Sequence, residues 1–253
     1  MAKKVAEQLV DTLIEAGVRR IYAVTGDSLN EVNEAVRQNE VMKWIHVRHE
    51  ETGAYAAGAE AQLTGLPGCC AGSSGPGHVH LINGLYDAHR SGAPVIAIAS
   101  TIPTGEFGTE YFQETNTVKL FNDCSFYNEV ATTPEQFPRM LQSALQTATT
   151  RKGVAVVGLP GDLAKKPAVK VGSSEQIYPL ASSVCPAEED LIRLAGMLNH
   201  YERITLFCGI GCKGAHEEII RMSETLNAPV AYTFKGKMEV QYENPYEVGM
   251  TGL

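Results

Sequence analysis

The sequence lacks any hydrophobic run close to the ~18 residues that a membrane-spanning helix needs, so we expect no transmembrane segment within it. It also has few cationic residues, with 21 Lys and Arg against 29 Asp and Glu and a net charge of −8 at pH 7. No basic cluster exceeds pairs such as Lys165-Lys166. Proteins that bind nucleic acid or anionic lipid through charge need such clusters. The composition therefore favours a small-molecule ligand.

A regular cysteine framework is also missing, because the six cysteines have neither disulfide-scaffold nor zinc-motif spacing. The N-terminal residues lead into an amphipathic helical pattern instead of a secretory signal. Both features predict a reducing, cytoplasmic environment. We expect Cys69 and Cys70 to point to opposite faces of a strand, and we expect both of them, with Cys208 and Cys212, to be small buried hydrophobic residues.

The chain of 253 residues has 44% hydrophobic and only 20% charged residues, which is enough to form a substantial core. No internal repeat or low-complexity tract is evident. Short apolar runs alternate with helical patterns, and this alternation predicts an α/β fold with a doubly wound parallel sheet. The predicted strands of the first domain are Ile21 to Val24, 43–47, 68–72, Pro94 to Ala99 and Val154 to Leu159.

Two domains are expected, at 1–180 and 181–253, joined by a Pro-, Gly- and Ser-rich connection that starts at about residue 160. The second αβ alternation has about seventy residues, fewer than the ~100–150 typical of a domain. We therefore expect the first half of a Rossmann-like domain, and a chain that is a fragment of a longer protein.

Two further local predictions concern the first domain. Thr133 as N-cap, with Pro134 at the first helical position and Gln136 at the third, predicts a helix from Pro134 through about residue 149. Residues 100–130 are rich in turn residues and aromatics, and we interpret much of this segment as an active-site loop.

Arg48-His49-Glu50-Glu51 stands where a predicted strand runs into a helix of small residues. An acidic residue in the first helical turn is favoured by the helix dipole, so either carboxylate can have a purely structural role. Parallel sheets, however, bind ligands at the carboxyl ends of their strands. Three other turns are predicted at that edge, namely Val24-Thr25-Gly26, Gly75-Pro76-Gly77 and Ser100-Thr101.

Several motifs have two interpretations. Gly75-Pro76-Gly77 fits either a plain tight turn or a phosphate-binding turn. Phe112-Gln113-Glu114 fits either a loop packed on its own rings or a substrate-side lid. Gly209-x-Gly211-x-x-Gly214 follows a strand, as a dinucleotide-binding turn does, but lacks an acidic ribose ligand about 20 residues later.

His78-Val79-His80 does not predict a metal site. Histidines two positions apart on a helix face different sides, and no carboxylate or cysteine is near in sequence. We expect no metal ligand in this chain.

As a set, these motifs resemble the thiamine-diphosphate enzymes of the pyruvate oxidase family, and within it the bacterial quinone-dependent pyruvate dehydrogenases and pyruvate oxidases. The resemblance extends over essentially the whole chain and is carried by ordered blocks. These are Val24-Thr25-Gly26-Asp27, Arg48-His49-Glu50-Glu51, Ala56-Ala57-Gly58-Ala59-Glu60, Gly75-Pro76-Gly77, 81–88 (LINGLYDA) and Phe112-Gln113-Glu114.

The resemblance implies a thiamine-diphosphate pyrimidine-binding domain followed by half of a flavin-binding domain. It also implies that Glu50 hydrogen-bonds a pyrimidine ring nitrogen of the cofactor and so promotes deprotonation of the thiazolium carbon. Glu51 would then be a helix-start residue. Mg²⁺ and the diphosphate are held in the family by a Gly-Asp-Gly to Asn-Asn stretch that this sequence does not contain.

Further cofactor contacts are implied by the same resemblance. The pyrimidine contacts would be Val24, Thr25, Gly26, Gly75, Pro76 and Asn83. The residues near the thiazolium and the substrate would be Phe112 and Gln113. The FAD contacts would be Gly209, Gly211, Gly249, Met250, Thr251, Gly252 and Leu253.

The implied activity is oxidative decarboxylation of pyruvate to acetate or acetyl phosphate, with electrons passed to quinone or oxygen. A homodimer or homotetramer is implied, because active sites of the family form between subunits. The resemblance also allows peripheral contact of the full-length protein with the inner membrane. The fragment itself is expected to be inactive. The alternatives are a carboligase like acetolactate synthase and a non-catalytic flavin-binding homologue. The segment Glu51-Thr52-Gly53-Ala54-Tyr55 disfavours the carboligase.

Overall fold

The computed structural model describes residues 2–169 and 184–251. The chain divides into two compact units, Met1–Ser182 and Ser183–Leu253. The predicted connection after residue 160 falls largely on 170–183, outside the described residues, as do Gly252 and Leu253.

The first unit contains a six-stranded, fully parallel sheet in the order β2-β1-β3-β4-β6-β5. Its strands are β1 Arg20–Ala23, β2 Lys43–His46, β3 Gly68–Gly72, β4 Val95–Thr101, β5 Tyr127–Val130 and β6 Val154–Pro160. Its helices are α1 Val5–Glu15, α2 Asn30–Arg37, α3 Glu50–Thr64, α4 Pro76–Val79, α5 Ile82–Arg90, α6 Thr117–Leu120, α7 Phe137–Arg151 and α8 Gly161–Ala164.

Two separate hydrophobic clusters cover the two faces of this sheet. Alternate residues of the central strands contribute to different clusters, as the pleat of a β-strand requires. Cys69 and Ile96 pack with α1, α2 and α7, whereas Cys70 and Ala97 pack with α3 and α5. The predicted doubly wound parallel sheet is confirmed, and Cys69 and Cys70 are buried on opposite faces.

One local prediction in this unit was wrong. The helix predicted to have Thr133 as its N-cap and Pro134 as its first residue begins at Phe137, because Thr133–Gln136 form a turn in which the Gln136 side chain accepts hydrogen bonds from Thr132. Pro138, near the start of α7, takes the place expected for Pro134, where a missing N–H costs nothing.

Much of the segment 100–130 is irregular, as its composition indicates, but it is not a loop throughout. It contains β5, which is an edge strand with no fully buried residue, so its sequence Tyr-Asn-Glu-Val has no apolar run to reveal it.

The second unit has a three-stranded parallel sheet in the order β7-β8-β9. A small cluster formed mainly by Cys208, Ile219, Val230, Tyr232 and Val240 is its core. Its elements are α9 Glu188–His200, β7 Leu206–Cys208, α10 His216–Leu226, β8 Val230–Tyr232, α11 Lys237–Val240 and β9 Glu247–Met250. Among the helices of the described ranges, none is long and apolar enough to span a membrane.

Candidate functional site

The sheet of the first unit has a topological switch between β1 and β3. The chain leaves β1 to form β2 on one side and returns to form β3 on the other. In open parallel sheets, ligands bind in the crevice outside the carboxyl ends of the strands at such a point. Val24-Thr25-Gly26 follows β1, and the turn that contains Gly75-Pro76-Gly77 follows β3, so both segments flank this crevice.

Glu50 lies beside the crevice as the first residue of α3, after β2. It is only 8% exposed, and its Oε2 lies 3.0 Å from Nδ1 of His80. Its Oε1 faces Gly77, where a Cβ would stand 3.4 Å away, and it has no hydrogen-bond partner among the residues that the structure describes. The N-terminus of a helix favours a carboxylate at this position. One carboxyl oxygen is thus available to a ligand.

Glu51 has different partners from Glu50. Its Oε1 accepts a hydrogen bond from Nδ2 of Asn83 at 3.1 Å, and its Oε2 lies 3.7 Å from Nδ1 of His49. Asn83, which the resemblance assigns to the pyrimidine pocket, is exposed and lies against Glu51. The structure therefore separates the two adjacent carboxylates.

The glycine-rich turn after β3 is in close contact with the loop that carries Gln113. Gly75 has φ +64°, and a Cβ there would stand 2.7 Å from Cβ of Gln113, so only glycine fits. Ser74 Oγ donates to Gln113 Oε1 at 3.0 Å. Phe112 is 80% exposed. The structure brings Gln113 to the turn and leaves the Phe112 ring in solvent.

Ser28, which follows β1, connects to the segment that follows β3 and to the end of β4. Its Oγ lies 3.0 Å from Ser73 Oγ and accepts a hydrogen bond from the Ser74 backbone N–H at 2.9 Å. Its carbonyl oxygen accepts from Ser100 Oγ at 2.8 Å. These bonds fix the strand ends around the crevice. Sequence reasoning missed this network, although serines directly after predicted strands were a signal for it.

His78 and His80 lie on different sides of their helical segment, as their spacing predicts. His78 is fully buried, with Nδ1 2.8 Å from the Ser100 carbonyl and Nε2 2.5 Å from Thr115 Oγ1. Burial lowers the pKa of His78 below its ordinary value, although the bond to Ser100 opposes this shift. The ring is therefore neutral, with Nδ1 donating to the carbonyl and Nε2 accepting from Thr115.

His80 instead meets residues that are distant in sequence. Its ring stacks on His49 with a centroid separation of 4.4 Å, next to Glu50. A search for carboxylate neighbours in sequence could not find this group, because 30 residues separate Glu50 from His80.

A pocket of about 650 Å³ opens beside this site, between the 107–118 segment and the ends of β4 and β5. His78 and Gln113 are among its lining residues. The segment that sequence reasoning interpreted as an active-site loop thus surrounds a cavity adjoining the crevice.

The predicted flavin contacts lie at the carboxyl ends of β7 and β9, which both pair with β8 in parallel. Gly209 follows β7, and a Cβ at Gly211 would meet no atom within 4 Å, so the turn presents open space. Gly249 and Met250 end β9, and the Thr251 backbone N–H donates to the Tyr232 carbonyl at 3.0 Å. The structure brings these two segments to one edge of the sheet.

Comparisons with known proteins agree with this architecture. Residues 3–120 match the family model of the thiamine pyrophosphate enzyme N-terminal TPP binding domain, and 191–253 match that of the thiamine pyrophosphate enzyme central domain. The chain is similar to an uncharacterized 42.6 kDa protein of the isoamylase 3' region in Pseudomonas amyloderamosa, with 51% identity over 99% of this chain and 63% of the relative.

Another relative is YdaP of Bacillus subtilis, with 38% identity over 100% of this chain and 44% of the relative. Pyruvate oxidase of Lactiplantibacillus plantarum is 36% identical over 92% of this chain and 39% of the relative. The chloroplastic acetolactate synthase of Arabidopsis thaliana is 29% identical over 99% of this chain and 38% of the relative. The chain thus spans between about two-fifths and two-thirds of the length of these relatives. Two matched domains in their expected order, on a parallel α/β framework, place this chain in the thiamine pyrophosphate enzyme family.

Proposed function

We propose that this chain is part of a thiamine-diphosphate- and FAD-dependent oxidase that decarboxylates pyruvate to acetate or acetyl phosphate, with electrons passed to quinone or oxygen. The observation that carries the proposal is Glu50, a buried carboxyl group at the switch point of the sheet with one oxygen free for a ligand. Similarity to the Lactiplantibacillus plantarum pyruvate oxidase supports the choice of substrate.

When bound, thiamine diphosphate supplies a thiazolium carbon that, once deprotonated, adds to the carbonyl of a 2-oxo acid and accepts the electrons released on decarboxylation. Glu50 holds a proton at Oε1 for a pyrimidine ring nitrogen. His80 restrains the carboxyl group at Oε2 and so fixes the direction of Oε1. The small exposed fraction of Glu50 keeps water from competing for that proton.

The placement of the turns supports the remaining contacts that we propose. Val24, Thr25 and Gly26 contact the pyrimidine from the β1 side of the crevice, and Gly75 and Pro76 contact it from the β3 side. Gln113, held by Ser74, faces the reacting part of the cofactor and the substrate. Asn83, which donates a hydrogen bond to Glu51, is not among the pyrimidine contacts that we propose.

In this proposal, FAD binds to the second unit at the edge formed by Gly209, Gly211 and the Gly249–Thr251 segment. The open space at Gly211 suits close approach of a dinucleotide backbone to the main chain. Mg²⁺ and the diphosphate are held by a domain outside this chain, contributed by a second subunit of a homodimer or homotetramer.

Similarity to acetolactate synthases supports a second candidate, a carboligase that joins two 2-oxo acids. The two candidates share the role of Glu50 and differ in product. Incubation with pyruvate therefore distinguishes them, since an oxidase yields acetate or acetyl phosphate and reduces an acceptor dye, whereas the carboligase yields acetolactate.

The test of the proposal is Glu50→Gln in the full-length protein that carries this chain. Glutamine keeps the size of the side chain but cannot supply the proton, so turnover of pyruvate should fall by about 10²- to 10⁴-fold. Flavin content, measured after denaturation, should be unchanged because the substitution lies in the first unit.

The matched control is Glu51→Gln, which changes the adjacent carboxylate and keeps an oxygen that can accept from Asn83. Turnover should then stay within a few-fold of the unmodified protein. Near-normal turnover of Glu50→Gln would refute the proposed role of Glu50.

A further inference from the structure

His49, Glu50 and His80 form a compact group of metal-ligating side chains. Each residue offers one ligand atom, and the three atoms lie within 4.8 Å of one another. The two histidine rings are stacked with an interplanar angle of 25°, and their side chains are 48% and 43% exposed. Two imidazoles and one carboxylate thus converge at a place that solvent can reach.

The chemistry of these donors selects among cations. Imidazole nitrogen suits Zn²⁺ and other late first-row divalent ions, whereas Mg²⁺ and Ca²⁺ prefer sites made of oxygen. Two histidines, one carboxylate and a solvent-open fourth position form a ligand set found in zinc sites. The donor set therefore fits Zn²⁺ and disfavours Mg²⁺.

The geometry requires a small rearrangement. Tetrahedral Zn²⁺ with bonds of about 2.1 Å holds its ligand atoms roughly 3.4 Å apart. Glu50 Oε2 and His80 Nδ1 are already 3.0 Å apart, and His49 is exposed enough to rotate towards them.

A second carboxylate lies near one of the three ligands, and another ligand has a fixed place in the fold. Nδ1 of His49 lies 3.7 Å from Glu51 Oε2, and Glu51 is itself held by Asn83. A carboxylate behind a ligating histidine fixes the ring and raises its basicity. Glu50 is fixed by its place at the start of α3.

We propose that His49, Glu50 and His80 form a binding site for a divalent transition cation, with Zn²⁺ as the best match. All three ligands belong to the first unit. Binding of the cation can therefore be measured without catalytic activity. One consequence does rest on the proposed function: Zn²⁺ bound to Glu50 would compete with the pyrimidine ring for the same carboxyl group.

The experiment is calorimetric titration of Zn²⁺ into the 253-residue chain, prepared without a histidine tag, stripped with a chelator and free of thiamine diphosphate. We expect one site that involves the histidines, at least a tenfold loss of affinity in both His49→Ala and His80→Ala, and no comparable binding of Mg²⁺. The control is His200→Ala, which removes an exposed histidine of the second unit and should leave the affinity unchanged.

Two further measurements make every outcome decisive. Histidine ring resonances in NMR spectra of the unmodified chain should identify His49 and His80 as the rings that shift with Zn²⁺, even where a variant folds poorly. Co²⁺ should give visible bands without the near-ultraviolet absorption of thiolate ligands. Absence of Zn²⁺ binding, or binding of undiminished affinity in both variants, would overturn the proposal. Neither result would bear on the role of Glu50 in turnover.

Discussion

Glu50 and Glu51 are adjacent acidic residues at the start of α3 whose side chains have different environments. Glu50 is buried and hydrogen-bonded to His80, whereas Glu51 is half-buried and bonded to Asn83. Either carboxylate can satisfy the helix dipole, so the dipole cannot explain the burial of Glu50. Its position against Gly77 at the crevice supports the ligand-binding role that we propose for it.

His78 makes the stability of the first unit sensitive to acid. Its pKa is lowered by burial, so the unfolded chain binds a proton at higher pH than the folded chain does. We expect the free energy of unfolding to decrease as the pH falls below ~6.5, the ordinary histidine pKa, and to level off below the folded-state value. Urea titrations at several pH values, followed by the fluorescence of Trp44, measure this change. Trp44 is the single tryptophan, and it lies in β2 and packs against the core of the first unit.

Other groups also titrate in this range, so the decisive comparison is His78→Asn. Asparagine destabilises the unit at every pH but cannot be protonated, and the decrease between about pH 7.5 and about pH 5.5 should be smaller than in the unmodified chain. An equal decrease in both proteins would show that His78 does not cause it.

At the scale of elements, α3 and α5 pack closely through small residues. A Cβ on Gly84 of α5 would lie 2.6 Å from both Ala54 Cβ and Tyr55 N of α3. The contact explains why α3 consists largely of alanine and glycine on its buried side. The crossing matters for the site, because α3 begins with Glu50.

Gly84→Ala should therefore destabilise the first unit by about 1–3 kcal/mol, since the two helices have to separate to admit the methyl group. Urea unfolding followed by Trp44 fluorescence is again the measurement. The control is Gly105→Ala, an exposed position with no atom within 4 Å of the added Cβ, which should change stability by less than ~0.5 kcal/mol. A neutral Gly84→Ala would contradict the tight crossing.

The whole chain consists of two units, each with its own buried core. The two clusters that cover the six-stranded sheet contain residues of the first unit, and the third cluster contains residues of the second. A unit with a complete sheet covered on both faces has what an independently folding domain requires.

We expect a shortened chain, Met1–Ser182, to fold by itself. It should show one cooperative urea transition by Trp44 fluorescence and well-dispersed NMR signals. The end point is placed after Val169 because the Val169 carbonyl accepts a hydrogen bond from Gln8, and Pro167 pairs with Lys4. A shortened chain without a cooperative transition would show that the first unit needs the rest of the chain.

Local sequence patterns were enough to predict the five apolar strands and the doubly wound parallel sheet, because hydrophobic periodicity is a local feature. They also placed Arg48-His49-Glu50-Glu51 at a strand-to-helix junction, but the choice of Glu50 over Glu51 came from the family resemblance and stays a prediction. The same patterns missed β5, which has no buried residue, and placed the start of α7 three residues early. The strand order, the contact of Gln113 with Ser74, and the meeting of His49, Glu50 and His80 were visible only in the folded structure. These features join residues about 30 or more positions apart, and such contacts depend on how the elements pack and not on any local pattern.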